Sequence, residues 1–428
     1  MKKIAEWPLF MCGFRPFFLA GSAMACAVMA AWLLMLGGPW PLDWAPPGGV
    51  ALWHGYELVV GFGSAAVAGF LLTAIPEFTG TAPPPSGRLV GLALLWLLGR
   101  LAWGIGAWLP APLDVLAVAL THLLFTAGLL ALLLPALNHD AQARGHLSFA
   151  WALLALLLVQ SGFFAALLWH WSDPLAWVRL AVGLMMVLII LAGSRISMNV
   201  VNRLVELGKP DLAEHGTVGY LARPPRRNLA TFCICLCSAV EFFKGSDLVT
   251  AWLTLAAAAA MFNLLNDWHI GRPLLYRWAL ILYTSYWLVA LGYAAIGLSM
   301  LGAPWLPSAG RHLLMVGAMG LSIFAVMNVA GRIHAGQWLD TSRWVPATAL
   351  ALVASALLRF LAGHFSLAPW ALGLTLAAGL LWVAGFAAYL WRNAPLLSTP
   401  RDDGQSGCAE PLEQVQALAQ PSSPSHHH

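Results

Sequence analysis

Ionisable side chains inside long apolar runs come first, because a charge within a bilayer is costly and marks a functional site by default. His54 and Glu57 stand three residues apart and would share one helix face. His312 opens another apolar run at matching depth, and His122 lies in a third. Three histidines converging from different helices is how bundles build haem and metal sites. Arg100, Arg179 and Arg359 fall in the same halves of their runs, and Arg311 precedes His312. A guanidinium at that depth needs an anion. Glu57, Asp114, Asp173, Glu241 and Asp247 cannot all reach these arginines, whereas haem propionates would meet them through bidentate contacts. For any one arginine, snorkelling to the interface is the competing explanation.

A second polar group gathers at the opposite ends of the runs: Arg15, Glu77, Arg195, Asn199, Asn328, Arg332 and His334. Some of these are loop charges that meet lipid headgroups. His334 reads either as a ligand or as a plain loop histidine. A helix from His312 to His334 would span roughly 33 Å, so the two cannot serve one metal. Cys233 and Cys237, in Cys233-Ile-Cys235-Leu-Cys237, would lie one turn apart. Two thiolates so placed can hold Cu(I). Small residues there also serve plain packing between membrane helices.

The elements that position these residues follow from composition. The chain has 428 residues, 60% apolar and 9% charged, with a mean hydropathy of +0.76. Soluble domains carry about 25% charged residues, so a soluble enzyme of any class is excluded. At roughly 20 apolar residues per crossing, the fold class is all-α: a polytopic membrane helix bundle of about a dozen helices. Helices are predicted near 17–36, 50–75, 89–108, 113–137, 147–170, 175–194, 228–244, 247–268, 274–298, 311–331, 344–362 and 368–391. The seventh is the least apolar. The first run is too long for a cleaved signal and lacks a convincing cleavage site.

Of the 22 Lys and Arg, only Lys244 and Arg311 fall on the side opposite to the basic majority, while Arg100, Arg179 and Arg359 lie inside helices. That bias puts both termini in the cytoplasm. The net charge of +4 is therefore not a nucleic-acid signal. Residues 1–397 read as one transmembrane domain with a long cytoplasmic loop over 195–228. Residues 398–428 read as a disordered polar tail, and His426–His428 has the look of a purification-tag remnant. All six cysteines fall in helices or on the cytoplasmic side, so no exported disulfide is implied. Most of the 22 tryptophans, among them Trp40, Trp108, Trp169, Trp171 and Trp391, sit near helix ends as an interfacial belt.

Several motifs carry a family resemblance. Gly13-Phe14-Arg15-Pro16-Phe17-Phe18 resembles the opening motif of the NnrS family. So do Trp53-His54-Gly55-Tyr56-Glu57, Gly61-Phe62, Ala68 to Pro76 and Thr79-Gly80. His312 to Gly320, running on to Ala325-Val326-Met327 and closing at His334 and Gly336, resembles the family's second signature. The resemblance covers most of the membrane region and is dense in helices one, two and ten. It implies a haem- and copper-containing protein of the bacterial inner membrane, tied to denitrification and nitric oxide stress. The expected cofactors are haem b and, second to it, copper. Arg15, His54, Glu57, Arg195, His312 and His334 are the positions that carry over. The chain departs from the pattern at Tyr56, where the family tends to have a histidine, at Tyr283, and over Ile196-Ser197-Met198-Asn199. The two tyrosines take the place of expected metal ligands.

The reading of function is a haem protein that binds or reduces nitric oxide, with His54 and His312 as axial or metal ligands. Glu57 and Tyr56 would supply proton or hydrogen-bond chemistry beside them. No electron donor is identifiable. The alternative is a transporter or export component without a cofactor, supported by helix count alone. A haem–copper oxidase subunit is rejected, because that class resembles a pattern with an adjacent His-His pair and a His-x-His that is missing outside the closing histidines.

Overall fold

The computed structural model describes residues 2–38, 44–208, 220–405 and 407–408. Trp40, the stretch from residue 209 to 219 and the closing His426–His428 lie outside the described residues, as does the Asn199 side chain. The long helices are α1 (Phe14–Gly37), α2 (Val50–Thr79), α3 (Ser86–Gly106), α4 (Leu113–Leu137), α5 (Leu147–Trp169) and α6 (Pro174–Gly208). They continue as α7 (Pro224–Lys244), α8 (Leu248–Leu265), α9 (Arg277–Met300), α10 (Pro307–Ile333), α11 (Trp344–Leu361) and α12 (Ala371–Ser398). No strand forms among the described residues. Leu- and Ala-rich runs propagate as helix, and Pro46-Pro47-Gly48-Gly49 and Pro83-Pro84-Pro85 stop them by removing donors and fixing φ.

Among the described residues eleven helices are long and apolar enough to cross a membrane, which makes this a multi-pass membrane protein. The exception is α7, whose opening Pro224-Pro225-Arg226-Arg227-Asn228 is too polar. It nonetheless runs the length of the bundle. At one end the Arg226 guanidinium donates to Asp267, just past α8, at 2.7 Å. At the other, Glu241 pairs with Arg311 at the start of α10.

The described chain ends meet at one end of the bundle, where Arg15 Nη1 donates to the Thr399 carbonyl at 2.7 Å. Cys12 and Cys408 are joined there as a disulfide, with Cα atoms 5.6 Å apart. Two expectations change here. The loop does not begin at Arg195, because α6 stays helical to Gly208 and buries Val200 and Val201. The tail is not disordered from residue 398, because residues 399–405 dock beneath the bundle with Arg401 buried.

Neighbouring helices pack largely in chain order, and α12 returns to α1 to close the ring. Inside it stand α2 and α10, each 83% buried over its most apolar stretch, against 28% for α12. Small residues permit these close contacts. A Cβ at Gly69 would come within 2.5 Å of the Phe18 ring, and one at Gly310 within 2.7 Å of the Ile296 backbone nitrogen. At the periphery Trp108, Trp169, Trp171 and Trp391 are all exposed, as an interfacial belt requires.

Candidate functional site

Both central helices leave α-geometry beside their histidines. In α2 a π-turn covers Glu57–Gly61, three residues after His54, and in α10 one covers Leu313–Met319, directly after His312. Single π-turns inside α-helices occur often at functional sites. Here they open a cavity of about 540 Å³ between α1, α2, α6, α10, α11 and α12. That lies within the ~300–1,000 Å³ typical of cofactor pockets. His54, His312, Arg179, Arg311 and Arg359 line it together with Trp32, Met315 and Trp382.

The two histidines are held differently. His312 Nδ1 lies 2.7 Å from the Ser308 carbonyl, which assigns the proton to Nδ1 and leaves Nε2 with its lone pair. A ligating histidine is usually fixed by such a bond through its other nitrogen. The His54 ring stacks on Trp32 with centroids 4.3 Å apart, and its Nδ1 is buried without a hydrogen-bond partner. Arg311 is paired with Glu241. Among the described residues neither Arg179 nor Arg359 has a carboxylate within ion-pair distance, although Arg359 interacts with both histidines electrostatically. A cavity with histidine nitrogens and uncompensated guanidiniums calls for a ligand that brings carboxylates, and a haem has that chemistry.

Arg100 and His122 do not belong to this cavity. They pack with Glu57 and Tyr56 on the far side of α2. The Glu57 carboxylate lies 2.7 Å from Arg100 and 3.7 Å from His122. Arg100 donates to His122 Nε2 at 2.5 Å, so the imidazole proton sits on Nδ1, 3.1 Å from the Tyr56 oxygen. Trp96 covers the guanidinium at 4.7 Å. Gly99 makes room for the imidazole, since a Cβ there would approach its ring to 2.9 Å. The cluster is closed, with no space for a water-sized molecule.

The expected convergence of His54, His122 and His312 therefore does not occur, and Glu57 and Tyr56 face His122 rather than the two cavity histidines. The reason is angular. Ala51, His54, Gly55 and Leu58 form the stripe of α2 that faces the cavity, and His54 lies at its edge. A residue at i+3 from that edge has already turned the corner.

The opposite end of the bundle is a clasp. Arg15, 0% exposed, donates to the carbonyls of Thr399, Pro8 and Leu397. Chain closure uses Nη1 of Arg15, a residue expected to bind a cofactor, while its Nε and Nη2 are buried without a hydrogen-bond partner. His334 approaches Glu77 at 3.5 Å and packs near Phe14, and Arg401 donates to its carbonyl. Arg195 lies over the Phe78 ring at 5.4 Å, whose other contact is the stacked His146. His334, Arg15 and Arg195 thus lie away from the histidine cavity, as the length of α10 requires.

Copper fits less well. Among the described residues no three His, Cys, Asp or Glu side chains gather closely enough to hold a metal ion. Cys235 is exposed, and the Cys237 thiol donates to the Ile234 carbonyl within its own helix.

Sequence reasoning missed Trp32, Trp382 and the Ser308 carbonyl. An aromatic in an apolar helix and a backbone oxygen carry no distinguishing signal. It also passed over Gln160, fully buried and bonded to Thr126 at 2.9 Å beside the Glu57 cluster. A glutamine within an apolar run was a legible sign.

No curated protein matches the chain. A family model described as NnrS protein matches residues 8–401. The match runs from the segment before α1 to Arg401 in the docked tail and takes in both central helices. The chain belongs to the NnrS family.

Proposed function

We propose that this NnrS-family protein binds haem b in the α2–α10 cavity and that the haem binds or reduces nitric oxide at the bacterial inner membrane. The observation that carries the reading is the pairing of His54 and His312 with arginines that lack carboxylates. Haem iron held by histidine binds diatomic gases, with the pocket's polarity and access setting the outcome. His312 offers Nε2 because Ser308 takes Nδ1. His54 is oriented by its stack on Trp32. Arg179 and Arg359 would hold the propionates, and Met315 and Trp382 belong to the apolar part of the cavity wall. Glu57 acts behind the wall: with Arg100 and His122 it fixes the rear face of α2 and so the angle at which His54 is presented. Among the described residues no three His, Cys, Asp or Glu side chains gather as a copper site would need, and no step is assigned to copper.

A dithionite-reduced-minus-oxidised visible spectrum of the detergent-purified protein tests the reading, repeated after adding nitric oxide. A b-type Soret band that shifts with the gas is the expected result. A colourless protein after haem-replete expression overturns it and leaves transport as the reading.

A further inference from the structure

One turn below the histidine cavity lies a second chamber that shares none of its lining. The step down is visible on three helices: Val59 to Gly63 in α2, Val182 to Met185 in α6, and Met315 to Met319 in α10. Its free volume is about 70 Å³. That is several times the ~10–15 Å³ that a molecule of water's size needs, and about half of the ~150 Å³ apolar cavity known to take up benzene or xenon. A ring is too large for it, and a diatomic gas is not.

The lining is hydrocarbon and thioether, and the described residues in it carry no charge. Its hydroxyls do not reach the space. Ser285 donates to the Ile281 carbonyl at 3.1 Å, and the Tyr286 and Ser322 oxygens are buried beneath the surface of the wall. Water needs two to four polar partners to be held, and none is offered here. The partition towards the histidine cavity is made of side chains. A Cβ at Gly63 would stand 3.0 Å from the Met319 methyl and 3.2 Å from the Met185 methyl, so two thioethers meet over that glycine. Unbranched methionines have three rotatable bonds and move aside readily.

We propose that this chamber is a holding site for a small uncharged gas, and that nitric oxide waits there one helical turn from the haem cavity. Nitric oxide has no charge and only a weak dipole, so it leaves water for hydrocarbon at little cost. It therefore collects in the bilayer around the bundle and in a dry chamber within it. Met185 and Met319 are the side chains that it passes on its way to the histidines. The choice of nitric oxide rests on the haem reading above, whereas the chamber as a gas site does not.

Xenon-129 NMR of the full chain without haem, in lipid nanodiscs under xenon pressure, tests the site. Ala66→Leu and, separately, Ala192→Leu each bring three more carbon atoms against the chamber from opposite helices. A saturable xenon shift is expected in the parent chain and should fall roughly fivefold or more in both variants, as the volume is filled. Shifts equal in all three proteins are simple partitioning into lipid and overturn the proposal. In the haem-loaded protein, laser photolysis of bound nitric oxide should show a slow rebinding phase that xenon suppresses and Ala66→Leu removes. Rebinding indifferent to both overturns the assignment to nitric oxide. A colourless protein sinks the haem reading alone, because xenon uptake is measured without haem and still decides whether the chamber takes a gas.

Discussion

A buried ion pair is worth little as a pair and much as a partnership. Taking one member away from Glu57 and Arg100 leaves a charge without compensation in a closed cluster. Arg100→Met alone should cost roughly 3–5 kcal/mol, read as a lower Tm in detergent. Adding Glu57→Gln should recover most of that loss, because the orphaned charge is then gone. Failure of the double variant to recover would mean that the cluster does more than hold α2. On the cavity side Arg359→Gln should weaken haem retention about tenfold, in line with the ~1.5–3 kcal/mol of a charged hydrogen bond. Titration of the apoprotein with haem measures it. An unchanged affinity would remove Arg359 as a propionate partner.

Single helices show how far sequence reached. The long apolar runs located the eleven membrane-length helices among the described residues, because hydrophobic length is a strong signal in a bilayer, and left α7 as the least apolar. Arg195 to Gly208 escaped, since an amphipathic extension beyond an apolar run resembles a loop. His54, His312, Arg179, Arg311 and Arg359 were grouped by their matching depth, but together with His122, Arg100 and Glu57, which pack behind α2. What was not legible was rotation. Ideal α-spacing put Glu57 with His54, whereas the π-turns and the edge position of His54 send them to different sites. Packing at the element scale is equally specific: Gly310→Ala would press a methyl onto the α9 backbone. It should cost about 1–3 kcal/mol, seen as lost monodispersity or a lower Tm. Outside the membrane, Asp247 caps α8 by accepting from the Thr250 amide at 2.7 Å, and that bond holds its carboxyl below the usual carboxylate range. A lowered pKa gives stability that is present above the unfolded Asp value and is lost as pH falls through the folded one. Thr250 amide protection in hydrogen exchange should fall on acidification through that window and be pH-independent in Asp247→Ala.

The whole molecule is a ring of helices around α2 and α10, closed by a clasp at one end and opening a cavity towards the other. The clasp uses the tail, so truncation after Ser398 removes the Thr399 acceptor of Arg15, the buried Arg401 and the Cys408 partner of Cys12. It should cost at least the ~1–3 kcal/mol of a buried donor left unmet, read as thermal stability, while leaving haem content intact. Loss of haem would link the two ends in a way the packing does not show. On the proposed function, haem binds in the cavity between α2 and α10 and not in the buried cluster behind α2. Comparing the Soret band per mole of monodisperse protein in His54→Ala, His312→Ala and His122→Ala tests this most directly. The band is expected to disappear or shift in the first two and to persist in the third. An intact band in both His54→Ala and His312→Ala, or its loss in well-folded His122→Ala alone, would contradict it.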